Sequence, residues 1–128
     1  MSQTVPDEVE SLLTSEPLVA HLATSVEDRP HVAPVWYLYA DETVEIVTGG
    51  RKLANIRENP RVAVSIQKDE GGHTEWMVSL LGTATVIDDE AAYSAVNRRI
   101  NEKYDGDEAY PENMLVRISV GTVNYRTY

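Results

Sequence analysis

No cysteine occurs in the 128 residues, an absence that removes disulfides, iron–sulfur ligation, thiolate zinc sites and cysteine nucleophiles together. Lysine is almost as scarce. It stands only at Lys52, Lys68 and Lys103, so arginine carries most of the positive charge. No window approaches the apolar length of a membrane span, and the opening MSQTVPDEVESLL is acidic and polar, without the basic-then-apolar order of a signal peptide. A soluble, cytoplasmic protein is therefore expected. Several catalytic signatures are also missing: GxSxG, a GxGxxG opening a helix after a strand, the GxxxxGK phosphate loop and HExxH. His21, His31 and His73 share no ligand spacing and read as structural or solvated histidines, so no metal site is expected.

What is present is acid. With 21 acidic against 11 basic residues the formal net charge is −10, which repels nucleic acid and anionic membranes. An acid-rich, lysine-poor surface also suits a protein kept soluble at high salt, and a halophilic source is expected. Adjacent carboxylates such as Asp88-Asp89 and Asp69-Glu70 read as solvated faces or helix openings rather than catalytic pairs. The length points to one domain, small enough that self-association would help bury apolar surface.

Periodicity supplies the elements. Asp7 to Ser15 reads as a short helix with Val9, Leu12 and Leu13 on one side, stopped by Pro17. LVAHLATS (18–25), HVAPVWYLY (31–39) and TVEIVT (43–48) read as three consecutive antiparallel strands. LANIRENP is a helix of barely two turns closed by Pro60, and RVAVSIQK (61–68) alternates as a strand half buried on each side. TEWMVSLLGTATVI (74–87) is a longer strand in which Gly82 predicts a bend or a close backbone approach. DDEAAYSAVNRRINEKY places Tyr93, Val96, Ile100 and Tyr104 on one helical face, with acids opening it and Arg98, Arg99 and Lys103 toward its end. After the loop DGDEAYPEN, MLVRISVGTVNY (114–125) is the closing strand. Six strands with helices inserted after the third and fifth predict a small antiparallel barrel of the α+β class.

Two stretches carry chemistry. In VTGGRK, Arg51 and Lys52 stand at the N-terminal end of a helix, where the helix's own partial charge is already positive. An anion placed there would be held by both cations, the free helix amides and the Thr48 hydroxyl, with Gly50 allowing close backbone approach. The alternative is a glycine turn whose cations pair with surface carboxylates. In HVAPVWYLY, Pro34 removes one ladder donor, so the backbone of Val35 and Trp36 is open to a planar polar ligand that Trp36 could border. The alternative is an edge strand whose aromatics fill the core. Trp76 allows a similar pair of readings, a pocket wall or a subunit interface.

HLAT, PHVAPVWY and the run T-x-x-R-K-x-x-N-I-R-x-N-P-R-V-A-V, taken together and in this order, resemble the pyridoxamine 5'-phosphate oxidase-like split barrel family over nearly the whole chain. The resemblance implies one six-stranded split-barrel domain over 1–128, with an N-terminal helix in 1–16, the barrel core in 18–87, a helix in 88–104 and the closing strand in 114–125. It implies a homodimer that binds FMN, or alternatively the deazaflavin coenzyme F-420, at the subunit interface. Carried over by position, Thr48, Gly50, Arg51 and Lys52 would hold the cofactor phosphate, and Pro34, Val35 and Trp36 would border the ring. Ser65 and Gln67 would approach the ring or ribityl chain, and Trp76 would reach the partner's cofactor. Family members that oxidise pyridoxamine phosphate carry a further basic C-terminal segment, whereas this sequence ends at VNYRTY, which argues against vitamin B6 chemistry. The function implied is hydride transfer between the cofactor and a small-molecule substrate, with no catalytic protein residue evident. The alternatives are a flavin-binding or sensing protein without turnover and a haem-handling protein of the same fold.

Overall fold

In the computed structural model, residues 4–128 are described, so the first three residues of the expected N-terminal helical segment lie outside the described residues. Three helices and seven strands follow in the order α1 (Asp7–Leu13), β1 (Ala20–Val26), β2 (Arg29–Val35), β3 (Leu38–Ala40), β4 (Thr43–Thr48), α2 (Gly50–Glu58), β5 (Arg61–Glu70), β6 (His73–Ile87), α3 (Glu90–Tyr104) and β7 (Met114–Thr127). All the strands pair antiparallel in one sheet of order β2-β1-β5-β6-β7-β4-β3. The architecture is the α+β split barrel that the sequence predicts.

Two expectations need correction. The sheet has seven strands rather than six, and the first three do not form a consecutive meander, because HVAPVWYLY breaks after Val35. β2 pairs only with β1, while β3 pairs only with β4 at the opposite end of the sheet. The cause lies in Tyr37, whose side chain is fully buried and donates its hydroxyl to the Leu13 carbonyl at 2.6 Å. Its backbone groups are satisfied from α3 instead of from a ladder: the N–H donates to the Tyr104 hydroxyl at 3.2 Å, and the carbonyl accepts from Lys103 Nζ at 2.8 Å. Alternating hydrophobicity does not reveal such a departure, since a buried tyrosine fits a strand equally well.

That break also explains the shape. The strands at the two ends of the sheet are consecutive in the chain, with Trp36 and Tyr37 alone between them. A flat sheet would hold its edges five strand spacings or more apart, so this one curls until its edges nearly meet and is closed there by covalent chain rather than hydrogen bonds.

Inside, β5 buries Val62, Val64 and Ile66, while Ala63 and Ser65 face outward, as their alternation requires. Leu22, Ile46, Ile66, Leu80 and Ile118 join α1's Val9 and Leu13 in the main core, and a smaller cluster of Val96, Ile100 and Leu115 fastens α3 to the outside of the barrel. Gly82 lies at a register shift between β6 and β7. A Cβ there would sit 2.5 Å from the Ser119 carbonyl oxygen, which is the close approach expected of it. α3 is opened by Asp89, whose carboxylate accepts the Ala92 N–H, and ended by Asp105 in the left-handed conformation.

Candidate functional site

β4 ends at Thr48, and the chain turns through Gly49 and Gly50 directly into α2. Gly49 takes the capping position without a side chain, so no side-chain bond caps the amides of the first turn. Thr48 is buried at the end of β4, and Asn55 one turn further along α2 is buried against β1, donating to Thr24 Oγ1 at 3.0 Å. The helix start is thus fixed by its neighbours, while its open end faces a cleft of about 530 Å³, a size within the range of roughly 300–1,000 Å³ usual for small-molecule sites.

The cleft draws on four parts of the fold. Val47, Thr48, Gly49, Gly50 and Lys52 form the wall at the β4–α2 turn, and Val19, Pro34, Val35 and Trp36 form the wall at the barrel seam. Asn97, Ile100 and Asn101 come from α3, and Glu108, Tyr110, Glu112 and Asn113 come from the loop after it. Lys52 is half-buried and is the one cation lining the space among the described residues. Arg51 is exposed beside it and does not line the cleft.

The seam wall is held from behind. Trp36 stacks on Tyr104 with ring centroids 4.8 Å apart and planes within 2° of parallel. Gly106 lies against the same indole, where a Cβ would come within 2.8 Å of the ring. The Tyr104 hydroxyl donates to the Leu18 carbonyl at 2.6 Å. Lys103 Nζ sits 3.8 Å from the Tyr37 ring centroid, and burial without a carboxylate partner pulls its pKa down to about 8. The loop is tied to α3 through Glu108, whose carbonyl accepts from Asn97 and Asn101 and whose N–H donates to Asn101 Oδ1.

Of the residues singled out in the sequence, Pro34, Val35, Trp36, Thr48, Gly50 and Lys52 meet around this cleft although they come from separate stretches. Ser65 and Gln67 do not. They stand on the outward face of β5, where Ser65 is opposite His21 and Ser79, and the Gln67 side chain donates to Asp69. Trp76 is 6% exposed and packs in the main core. Sequence reasoning missed Lys103, Tyr104 and the loop residues Glu108, Tyr110, Glu112 and Asn113. The one hint to the loop was Gly106, since a glycine just past a helix end ordinarily serves the cap, and here it also clears space for an indole. None of the three histidines lines the cleft, and no group of three or more His, Cys, Asp or Glu among the described residues could hold a metal. No helix among the described residues is long and apolar enough to cross a membrane.

A family model described as pyridoxamine 5'-phosphate oxidase matches residues 5–127. No curated protein matches the chain. Among solved structures, a candidate pyridoxamine 5'-phosphate oxidase from Listeria innocua is 22% identical, with 93% of this chain and 95% of that one covered and a TM-score of 0.76. An F-420 reductase is 23% identical, with coverage of 89% and 94% and a TM-score of 0.74. An FAD-binding protein from Mesorhizobium loti is 22% identical, with coverage of 92% and 91% and a TM-score of 0.73. At such identities these likenesses establish the fold.

Proposed function

The chain belongs to the pyridoxamine 5'-phosphate oxidase family, and from that premise we propose that it is an oxidoreductase that binds FMN, or alternatively the deazaflavin coenzyme F-420, in the cleft between the β4–α2 turn and the barrel seam. The observation that carries the reading is the convergence of Lys52 and an uncapped helix start on the space bordered by Val35 and Trp36. The phosphate belongs at the helix start, where Lys52, the free amides and Thr48 supply positive charge and donors in a chain otherwise dominated by carboxylates. The backbone of Pro34, Val35 and Trp36 borders the ring, and apolar Val19 and Val47 exclude water from it. When bound, either cofactor supplies hydride transfer at its ring, so the protein's part is to bind, orient and keep the ring dry.

A homodimer is part of the same proposal. The outward faces of β1, β5 and β6 bring together Ala23, Ala63, Ser65, Met77, Ser79 and Leu81, neighbours through strand pairing and none of them charged. So neutral a patch on a chain of net charge −10 supports burial against a second copy. Ser65 and Gln67 would then contribute to the cofactor from that face.

The absorbance spectrum of freshly purified protein, followed by fluorescence titration with FMN and with F-420, tests the assignment. Binding of one of them at micromolar Kd or tighter is expected, and binding of neither ends it. A Soret band on haem addition, without flavin binding, would transfer the cleft to haem. Ala63→Glu should convert a dimer to monomer by light scattering, and a parent protein already monomeric at high concentration removes the dimer.

A further inference from the structure

Tyr104 does not line the cleft, yet it holds both chain segments of the seam wall, through the neighbours of Val19 and Trp36 and through the Trp36 ring itself. Its hydroxyl donates to the Leu18 carbonyl at 2.6 Å and accepts the Tyr37 N–H at 3.2 Å, while its ring stacks on Trp36. Leu18 precedes Val19, and Tyr37 follows Trp36. Val19, Pro34, Val35 and Trp36 are the residues that form the seam wall. One phenol therefore joins the strand entering the sheet at β1 to the crossover that links the sheet's two edges, at the place where no ladder hydrogen bonds exist to do so.

We propose that Tyr104 is the positioning residue of the cofactor cleft, fixing the spacing between Val19 and the Val35–Trp36 backbone and the plane of the Trp36 ring. The inference rests on the cofactor reading above and extends it to a residue outside the cleft. Two features argue that the phenol, and not merely a bulky aromatic, is required. A phenylalanine would fill the same volume and keep the stack, but it would leave the Tyr37 N–H and the Leu18 carbonyl without their partner. The neighbouring Lys103 donates to the Tyr37 carbonyl, and no hydrogen bond joins it to Leu18 among the described residues, so it does not replace the bridge. Burial also holds the Tyr104 phenol protonated, raising its pKa to about 12, so it remains a donor to Leu18 across the physiological range.

The test compares the parent with Tyr104→Phe, Tyr104→Leu and the remote control Tyr125→Phe. Each is titrated with FMN and F-420, the visible circular dichroism of bound cofactor is recorded, and amide hydrogen exchange is followed over Val35–Leu38 in the cofactor-free protein. Tyr104→Phe should weaken cofactor binding about tenfold, the worth of a well-placed hydrogen bond, alter the induced dichroism and speed exchange at Tyr37, with an unchanged far-ultraviolet spectrum. Tyr104→Leu should lose more, and Tyr125→Phe nothing. Parental affinity and dichroism in Tyr104→Phe overturn the inference while leaving the cofactor reading intact. If the parent itself binds neither cofactor, both fall. If Tyr104→Leu fails to fold, Tyr104→Phe decides alone, and unchanged exchange at Tyr37 in that variant overturns the proposal with no cofactor present.

Discussion

Lys52 and Arg51 are adjacent in sequence and differ in what they face. Only Lys52 turns toward the cleft, so Lys52→Ala should weaken cofactor binding by roughly 1.5–3 kcal/mol, the scale of a charged hydrogen bond, and Arg51→Ala by clearly less. Titration of both variants under one salt condition checks the order, and equal losses would show the two cations acting as a diffuse field. Lys103 is a different kind of cation. Folding lowers its pKa to about 8 by burial, so from pH 8 to its unfolded value near about 10.4 the unfolded chain binds the extra proton and stability rises with pH. Burial shifts Tyr37 and Tyr104 the other way. Above roughly pH 10 unfolded tyrosines release protons that the folded ones keep, and stability falls. Urea denaturation across pH 7–11 should therefore peak near about pH 10, and Lys103→Met should abolish the rise but not the fall.

At the scale of elements, Gly82 is the position on β6 where the β7 backbone leaves no room for a Cβ. Adding a methyl group 2.5 Å from the Ser119 carbonyl and 2.9 Å from Ile118 Cγ2 forces β6 away from β7. Gly82→Ala should cost about 1–3 kcal/mol, read as a lower urea midpoint at unchanged slope. Most elements were legible from the sequence because their signals are local: the alternation of 61–68, the helical face of Tyr93, Val96, Ile100 and Tyr104, and the stop at Pro60. The break at Val35 was not, because what ends the strand is a pair of side chains from α3, some seventy residues on. The site divides along the same line. VTGGRK and APVW announce themselves by charge and by proline, whereas the contribution of Asn97, Asn101 and the 105–113 loop comes only from where α3 is docked. Trp76 shows the converse, an aromatic whose type suited a site and whose place on the inward face of β6 made it core.

Considered whole, the molecule carries 21 acidic residues against 11 basic ones. The ion pairs among the described residues join Lys68 to Glu16 and Glu75, Arg98 to Glu102, and Arg117 to Glu45, all at least partly exposed. Such pairs contribute little, while the mutual repulsion that a net charge of −10 implies is long-ranged at low salt. Raising potassium chloride from about 0.1 M to about 1 M shortens the screening length from about 10 Å to about 3 Å, and Tm should rise. A Tm that falls with salt would mean that specific pairs outweigh the net charge.

The order of strands has a consequence in time as well as in space. β7 lies between β6 and β4, with Thr43 opposite Ser119 and Thr48 opposite Met114, so the β3–β4 hairpin acquires its neighbour only after some seventy further residues have been made. A nascent chain arrested before Met114 contains β2, β1, β5 and β6 but leaves that hairpin, and the Thr48 end of the β4–α2 turn with it, without the strand it pairs with. The cleft should thus be among the last regions to form, and folding should be slow for the chain's size because its decisive pairing is so distant.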